Sequence, residues 1–95
     1  MSQINKPLVT IITVVYNDSK NIRDAIESVL SQDYSAIEYI VIDGGSTDGT
    51  KEIIEEYISK ISVFISESDE GVYDALNKGI ANSKGYYIGI LHADD

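Results

Sequence analysis

The sequence contains no cysteine and no tryptophan, and it has one proline, one histidine and one phenylalanine. Without cysteine there can be no disulfide framework, no thiolate nucleophile and no cysteine-ligated zinc, a pattern that fits a reducing compartment. Basic residues are scarce: seven Lys and Arg against sixteen Asp and Glu leave a formal net charge of −9. A protein that neutralises phosphates carries the opposite balance, so no nucleic-acid partner is expected. No apolar run approaches the ~18 residues of a membrane span. The N-terminus also lacks the basic region and apolar core of a secretory signal. The expected location is therefore cytoplasmic, or the cytosolic face of a larger assembly. What is present is ordinary globular material, 95 residues with 43% hydrophobic and 24% charged. That suffices for one domain and argues against disorder or a coiled coil.

Two hydrophobic periods alternate along the chain. Leu8–Tyr16 (LVTIITVVY) is a nearly continuous β-branched run, the pattern of a strand buried on both faces. Ile22, Ala25, Ile26, Val29 and Leu30 then form one helical stripe, with Asn17 or Asp18 placed to cap it. Ile37–Asp43 reads as a second strand, and Gly44–Thr50 as a turn in which Ser46 or Thr47 can cap the next helix. That helix carries Ile53, Ile54, Tyr57 and Ile58. Ser62–Ser66 is a short strand, Val72, Ala75, Leu76, Gly79 and Ile80 a third helical stripe, and Tyr86–Leu91 a fourth strand. Strand and helix alternate with short connections. The pattern predicts right-handed βαβ units: an α/β fold, a Rossmann-like parallel sheet with helices on both faces. The chain reaches Asp95 directly after a strand, which predicts a domain truncated at its C-terminus.

Every strand runs into a polar, acidic segment: Tyr16-Asn17-Asp18, Asp43-Gly44-Gly45-Ser46, Glu67-Ser68-Asp69-Glu70 and His92-Ala93-Asp94-Asp95. In a parallel sheet these lie along one edge, where open α/β sheets take their ligands. Acids at helix N-termini need no further explanation than the macrodipole, worth ~0.3–1 kcal/mol each, and this accounts for Asp18, Asp48 and Glu70. It does not account for Asp43, which closes a strand before a Gly-Gly turn, nor for Asp94 and Asp95. Familiar nucleotide signatures are missing. Tyr16-Asn17-Asp18-Ser19-Lys20-Asn21 stands where a dinucleotide fold would place G-x-G-x-x-G, and no P-loop or G-x-S-x-G elbow occurs.

Val9–Asn17 (VTIITVVYN), Glu38–Thr50 (EYIVIDGGSTDGT) and Asp69–Asp95 (DEGVYDALNKGIANSKGYYIGILHADD) together resemble the N-terminal half of family-2 glycosyltransferases. These are nucleotide-sugar-dependent enzymes of the GT-A fold. The resemblance covers essentially the whole chain in the family's order and spacing. It implies that Thr13, Val15, Tyr16 and Asn17 lie beside the base and ribose of the donor. Asp43 would accept a hydrogen bond from the uracil N–H, or from whichever base is used, with Gly44 and Gly45 letting the backbone come close. Asp69 and Gly71 would border the base pocket, and Lys78 would stand near the anionic ligand. Asp94 and Asp95 correspond to the D-x-D-type element, Asp94 on the nucleotide and both on the metal. His92 departs from the pattern, since the family usually shows Asn or Asp there; imidazole suits Mn²⁺ better than the oxygen-seeking Mg²⁺.

A divalent cation, Mn²⁺ or Mg²⁺, is expected on a further ground. A chain at −9 repels a nucleotide diphosphate unless a cation offsets the contact. The resemblance implies that residues 1–95 are the donor-binding part of an enzyme moving sugar from a nucleotide-diphospho-sugar, a UDP-sugar, to an acceptor hydroxyl with inversion. The acceptor would be a sugar or a lipid-linked molecule, as in polysaccharide biosynthesis. The base for the acceptor proton would come from beyond Asp95, so no catalytic residue is expected within the chain and the 95 residues alone are expected to be inactive. Two other readings are a catalytically inactive nucleotide-binding module and an acidic α/β interaction domain of the receiver type. An uncovered sheet edge would also permit a homo-oligomer.

Overall fold

The computed structural model describes residues 7–68, 71–85 and 87–92. The elements follow in the order β1 (Val9–Val15), α1 (Ile22–Leu30), β2 (Ile37–Asp43), α2 (Thr50–Glu55), a 3₁₀ turn (Ile58–Lys60), β3 (Val63–Ser66), α3 (Val72–Ala81) and β4 (Tyr87–His92). The strands form one sheet in the order β3-β2-β1-β4. All pairings are parallel: Val9 lies opposite Ile37 and Tyr87, and Asp43 lies opposite Val15 and Ser66.

The β-branched runs of the two central strands are two interleaved faces. Ile12, Val14, Ile40 and Ile42 pack with Ala75 and Leu76 of α3. Val15, Tyr39 and Val41 pack with Ile22, Ala25, Ile26 and Val29 of α1 and Ile54 of α2. Because alternate strand side chains point to opposite faces, helices on both faces bury all of the middle strands but Val9, Ile11 and Ile37, which are partly buried. That is why the apolar runs are continuous. Gly79 lets α3 lie close to β1, since a Cβ there would stand 2.8 Å from Cγ2 of Ile12. The fold is the expected one, and among the described residues no helix is long and apolar enough to cross a membrane.

The strand order matters for the site. From β1 the chain steps to β2 and β3 in one direction, then α3 carries it back across the sheet to β4 on the other side of β1. The order reverses between β1 and β4. At such a switch point the loops above neighbouring strands diverge and leave a crevice at the carboxyl end of the sheet.

At the amino end of the sheet the packing is closed by a buried acid. Glu38 is 8% exposed, and its Oε1 accepts from the Thr10 hydroxyl at 2.8 Å and the Lys84 N–H at 2.7 Å. The Gly85 N–H in turn donates to the Thr10 hydroxyl at 2.9 Å. A Cβ on Gly85 would come within 2.7 Å of the Thr10 backbone nitrogen and 2.8 Å of the Leu8 carbonyl oxygen. The α3–β4 connection is thus pressed against β1.

Local details depart from the sequence pattern. Asp18 does not cap α1; it forms the turn before it, its carbonyl accepting from the Asn21 and Ile22 N–H groups. Ser46 and Thr47 do not cap α2, which begins after Gly49 at a φ of 100°. The second apolar stripe is also cut short, because Ile58 falls in the 3₁₀ turn and is 51% exposed. Three residues per turn puts it out of phase with Ile53 and Ile54. Among the described residues Ile88 and Ile90 of β4, on one face of the strand, are 41% and 48% exposed.

Candidate functional site

The loops after β1 and β2 are tied into one body at the carboxyl edge. Asn17 takes a left-handed conformation, φ 47°, which Asn tolerates better than most residues. In that pose its N–H donates to the Ser46 hydroxyl at 2.7 Å, and its side-chain oxygen accepts from the Thr47 N–H at 2.8 Å. The Asp18 N–H donates to the Thr50 hydroxyl at 3.0 Å and the Ser19 N–H to Asp48 Oδ2 at 3.1 Å. One residue past the strands, the Gly44 N–H donates to the Val15 carbonyl at 2.9 Å. Gly45, at φ 91°, lies so close to the segment after β3 that a Cβ would stand 3.2 Å from the backbone N and Cα of Ser68. The angle favours glycine there, and the close contact leaves a Cβ little room. Tyr16 projects from this clasp, 63% exposed.

Asp43 sits beneath the clasp, fully buried. One carboxyl oxygen accepts from the Ser66 hydroxyl at 2.8 Å and the Ser46 N–H at 3.1 Å. The other accepts from the Ser46 hydroxyl, and the Asp43 carbonyl accepts from the Glu67 N–H at 3.0 Å. Serines thus surround the carboxyl group of Asp43, the residue expected to meet the base. Asp48 is held well below the ordinary carboxylate value of 3.8, at about 2, chiefly by the Thr50 hydroxyl that donates to it.

The other expected positions fall into groups. Tyr16, Asn17 and Gly44 lie together at this edge. Thr13 is fully buried, sharing a 2.7 Å hydrogen bond with the Tyr39 hydroxyl, and Val15 packs into the core beneath α1. Their side chains brace the strands from within, because odd-numbered β1 residues point to the α1 face. Burial pushes the Tyr39 hydroxyl up to about 12. Lys78 lies on α3 with its ammonium 3.0 Å from Glu67 and 3.7 Å from Asp74, so carboxylates already flank the charge expected near an anion. Gly71 opens α3 at φ 109°. Asp69, Asp94 and Asp95 lie outside the described residues. Among the described residues no group of three or more His, Cys, Asp or Glu could hold a metal ion.

Sequence reasoning missed Ser66 as a partner of Asp43. The two are opposite in the β2–β3 register, a relation that no local pattern reveals. It also passed over Glu38, whose alternation with apolar neighbours looks like an ordinary wet position until the Thr10 hydroxyl and the Lys84 N–H are found against it.

Comparison with known proteins places this architecture among sugar-transferring enzymes. Residues 10–95 match the family described as Glycosyl transferase family 2. An uncharacterized glycosyltransferase of Rickettsia typhi is 47% identical over 89 residues, 94% of this chain and 28% of that protein. The mannosyltransferase PcManGT from Pyrobaculum calidifontis, solved in complex with GDP-Man and Mn²⁺, superposes with a TM-score of 0.84 at 28% identity over 95% of this chain and 28% of its own. TarS of S. aureus, solved with UDP-GlcNAc, gives 0.82 at 26% identity over 92% of this chain and 26% of its own. The chain thus spans less than a third of the length of each of these relatives.

Proposed function

The chain belongs to glycosyl transferase family 2, and from that premise we propose that residues 1–95 bind the donor in an enzyme that moves a sugar from a UDP-sugar to an acceptor hydroxyl. One observation carries the reading. The Asn17 loop and the Gly44-Gly45 turn are clasped together at the carboxyl edge, beside the switch point between β1 and β4, with Tyr16 exposed above them. A planar base can stack on the Tyr16 ring and approach the glycine backbone. Asp43 contributes from beneath, by holding the loops that meet the base. The related structures with GDP-Man and UDP-GlcNAc support a nucleotide-sugar donor.

Asp69 and Gly71, before and at the start of α3 in the sequence, would border the base. Asp94 and Asp95 would hold a divalent cation, Mn²⁺ or Mg²⁺, which supplies charge to offset the donor diphosphate against a chain at −9. In the transfer itself the acceptor oxygen bonds to the anomeric carbon from the face opposite the diphosphate, the bond to the diphosphate breaks, and the acceptor proton passes to a base. We place that base and the acceptor site outside residues 1–95, and the enzyme in the cytoplasm, in assembly of a polysaccharide or lipid-linked glycan.

Calorimetric titration with UDP and with GDP, each with and without MnCl₂, tests the reading. UDP should bind, and more tightly with Mn²⁺. A chain that takes up divalent cations but neither nucleotide would instead be an acidic interaction domain.

A further inference from the structure

Resting on that reading of the carboxyl edge, we propose that Ser46 is a positioning residue for the donor, acting through the backbone of Asn17. Its hydroxyl donates to Asp43 and accepts from the Asn17 N–H at 2.7 Å. A hydroxyl has one proton to give. With that proton committed to a fully buried carboxyl group, the oxygen lone pairs are left for Asn17. The acid therefore fixes which way the serine faces. The bonds form a chain across the sheet edge: Ser66 to Asp43 at the ends of β3 and β2, Asp43 to Ser46 in the next turn, and Ser46 to Asn17 at the end of β1. The Thr47 N–H closes it by donating to the Asn17 side chain at 2.8 Å. Tyr16 stands on the residue next to the last link, so the ring offered to the base takes its direction from an acid it never touches.

Alanine at position 46 removes both bonds of the hydroxyl but leaves the Ser46 N–H on Asp43. The test uses the 95-residue chain, with UDP and MnCl₂ in a calorimeter and the Asn17 amide in a ¹H–¹⁵N spectrum. Ser46→Ala should weaken UDP binding about tenfold, the scale of one hydrogen bond, and move the Asn17 amide proton upfield. Ser46→Thr, which keeps the hydroxyl, should restore both. UDP affinity within twofold of the unaltered chain in Ser46→Ala would overturn the proposal. So would a Ser46→Thr protein whose amide is restored while its UDP affinity stays as weak as that of Ser46→Ala. Should Ser46→Ala fail to fold, Ser66→Ala cuts the chain one link earlier: a displaced Asn17 amide with about threefold weaker UDP binding supports the relay, and an unmoved amide refutes it. An unaltered chain that takes no UDP defeats the donor reading, and an amide displaced by Ser46→Ala would then mark a bond of structural value only.

Discussion

Glu38 near the amino end of β2 and Asp43 at its carboxyl end are both buried acids that accept hydrogen bonds from neighbouring elements. What they hold differs. Glu38 takes a strand hydroxyl and a backbone N–H from the α3–β4 connection, and Gly85 packs against the same hydroxyl with no room for a Cβ. Asp43 takes hydroxyls from Ser46 and Ser66 and lies under loops whose outer surface is open, with Tyr16 and Asn17 exposed. The same device closes one end of the sheet and ties the loops together at the other. Substitutions at the amino end should therefore cost stability alone, and those at the carboxyl end should cost binding as well.

Gly85→Ala should give the largest effect. Its Cβ would meet backbone atoms of Thr10 and Leu8, which cannot step aside. A loss of about 3 kcal/mol in urea unfolding is expected, with UDP affinity intact in the folded protein. A loss below about 1 kcal/mol, within the range of a tolerated core change, would break the contrast. The two acids come next. Glu38→Ala should cost about 1–3 kcal/mol of stability by stranding the Lys84 N–H and leave UDP affinity alone, whereas Asp43→Ala should also weaken UDP binding by about 1.5–3 kcal/mol. Equal UDP affinities for the two variants would erase the distinction.

Tyr39→Phe should cost about 1 kcal/mol by removing the bond to Thr13, and it carries a pH signature. The folded value is raised from 10.0 to about 12, so the protonated form is favoured by folding. That stability is complete below pH 10 and is lost as pH rises through 12, a decline that alkaline unfolding should show in the unaltered chain and not in Tyr39→Phe. Asp48 should give the smallest effect, at acid pH. Its folded value lies below its ordinary one, so its contribution is present above about pH 4 and is lost as pH falls through about 2. Exchange of the Ser19 amide should speed up over that window, and Asp48→Asn should remove the pH dependence.

The fold was legible because its signal is local and repeated. Runs such as Ile11–Val15 and Ile40–Asp43 alternate with stripes such as Ile22, Ala25, Ile26 and Val29, and short connections between such elements leave few topologies. The gathering of the polar strand ends was legible for the same reason: parallel strands collect Asn17, Asp43 and Gly44 at one edge. Its internal wiring was not. Which hydroxyls close around Asp43 depends on its register with Ser66 and on how tightly Gly45 approaches Ser68, and both are set by tertiary packing. The bond between Thr13 and Tyr39 was hidden in the same way, since it joins residues 26 apart on neighbouring strands. Ile58 shows the reverse, an apolar residue that periodicity assigns to a core it does not reach.

The central claim is that the carboxyl edge, and not the rest of this acidic surface, receives the donor nucleotide. Titrating the ¹⁵N-labelled chain with UDP in the presence of a diamagnetic divalent cation tests it residue by residue. The account predicts saturable shifts at Tyr16, Asn17, Gly44 and Gly45, with Thr10, Glu38, Lys84 and Gly85 unmoved. Shifts centred on the amino end, or spread evenly over the acidic surface with no saturation, would contradict it.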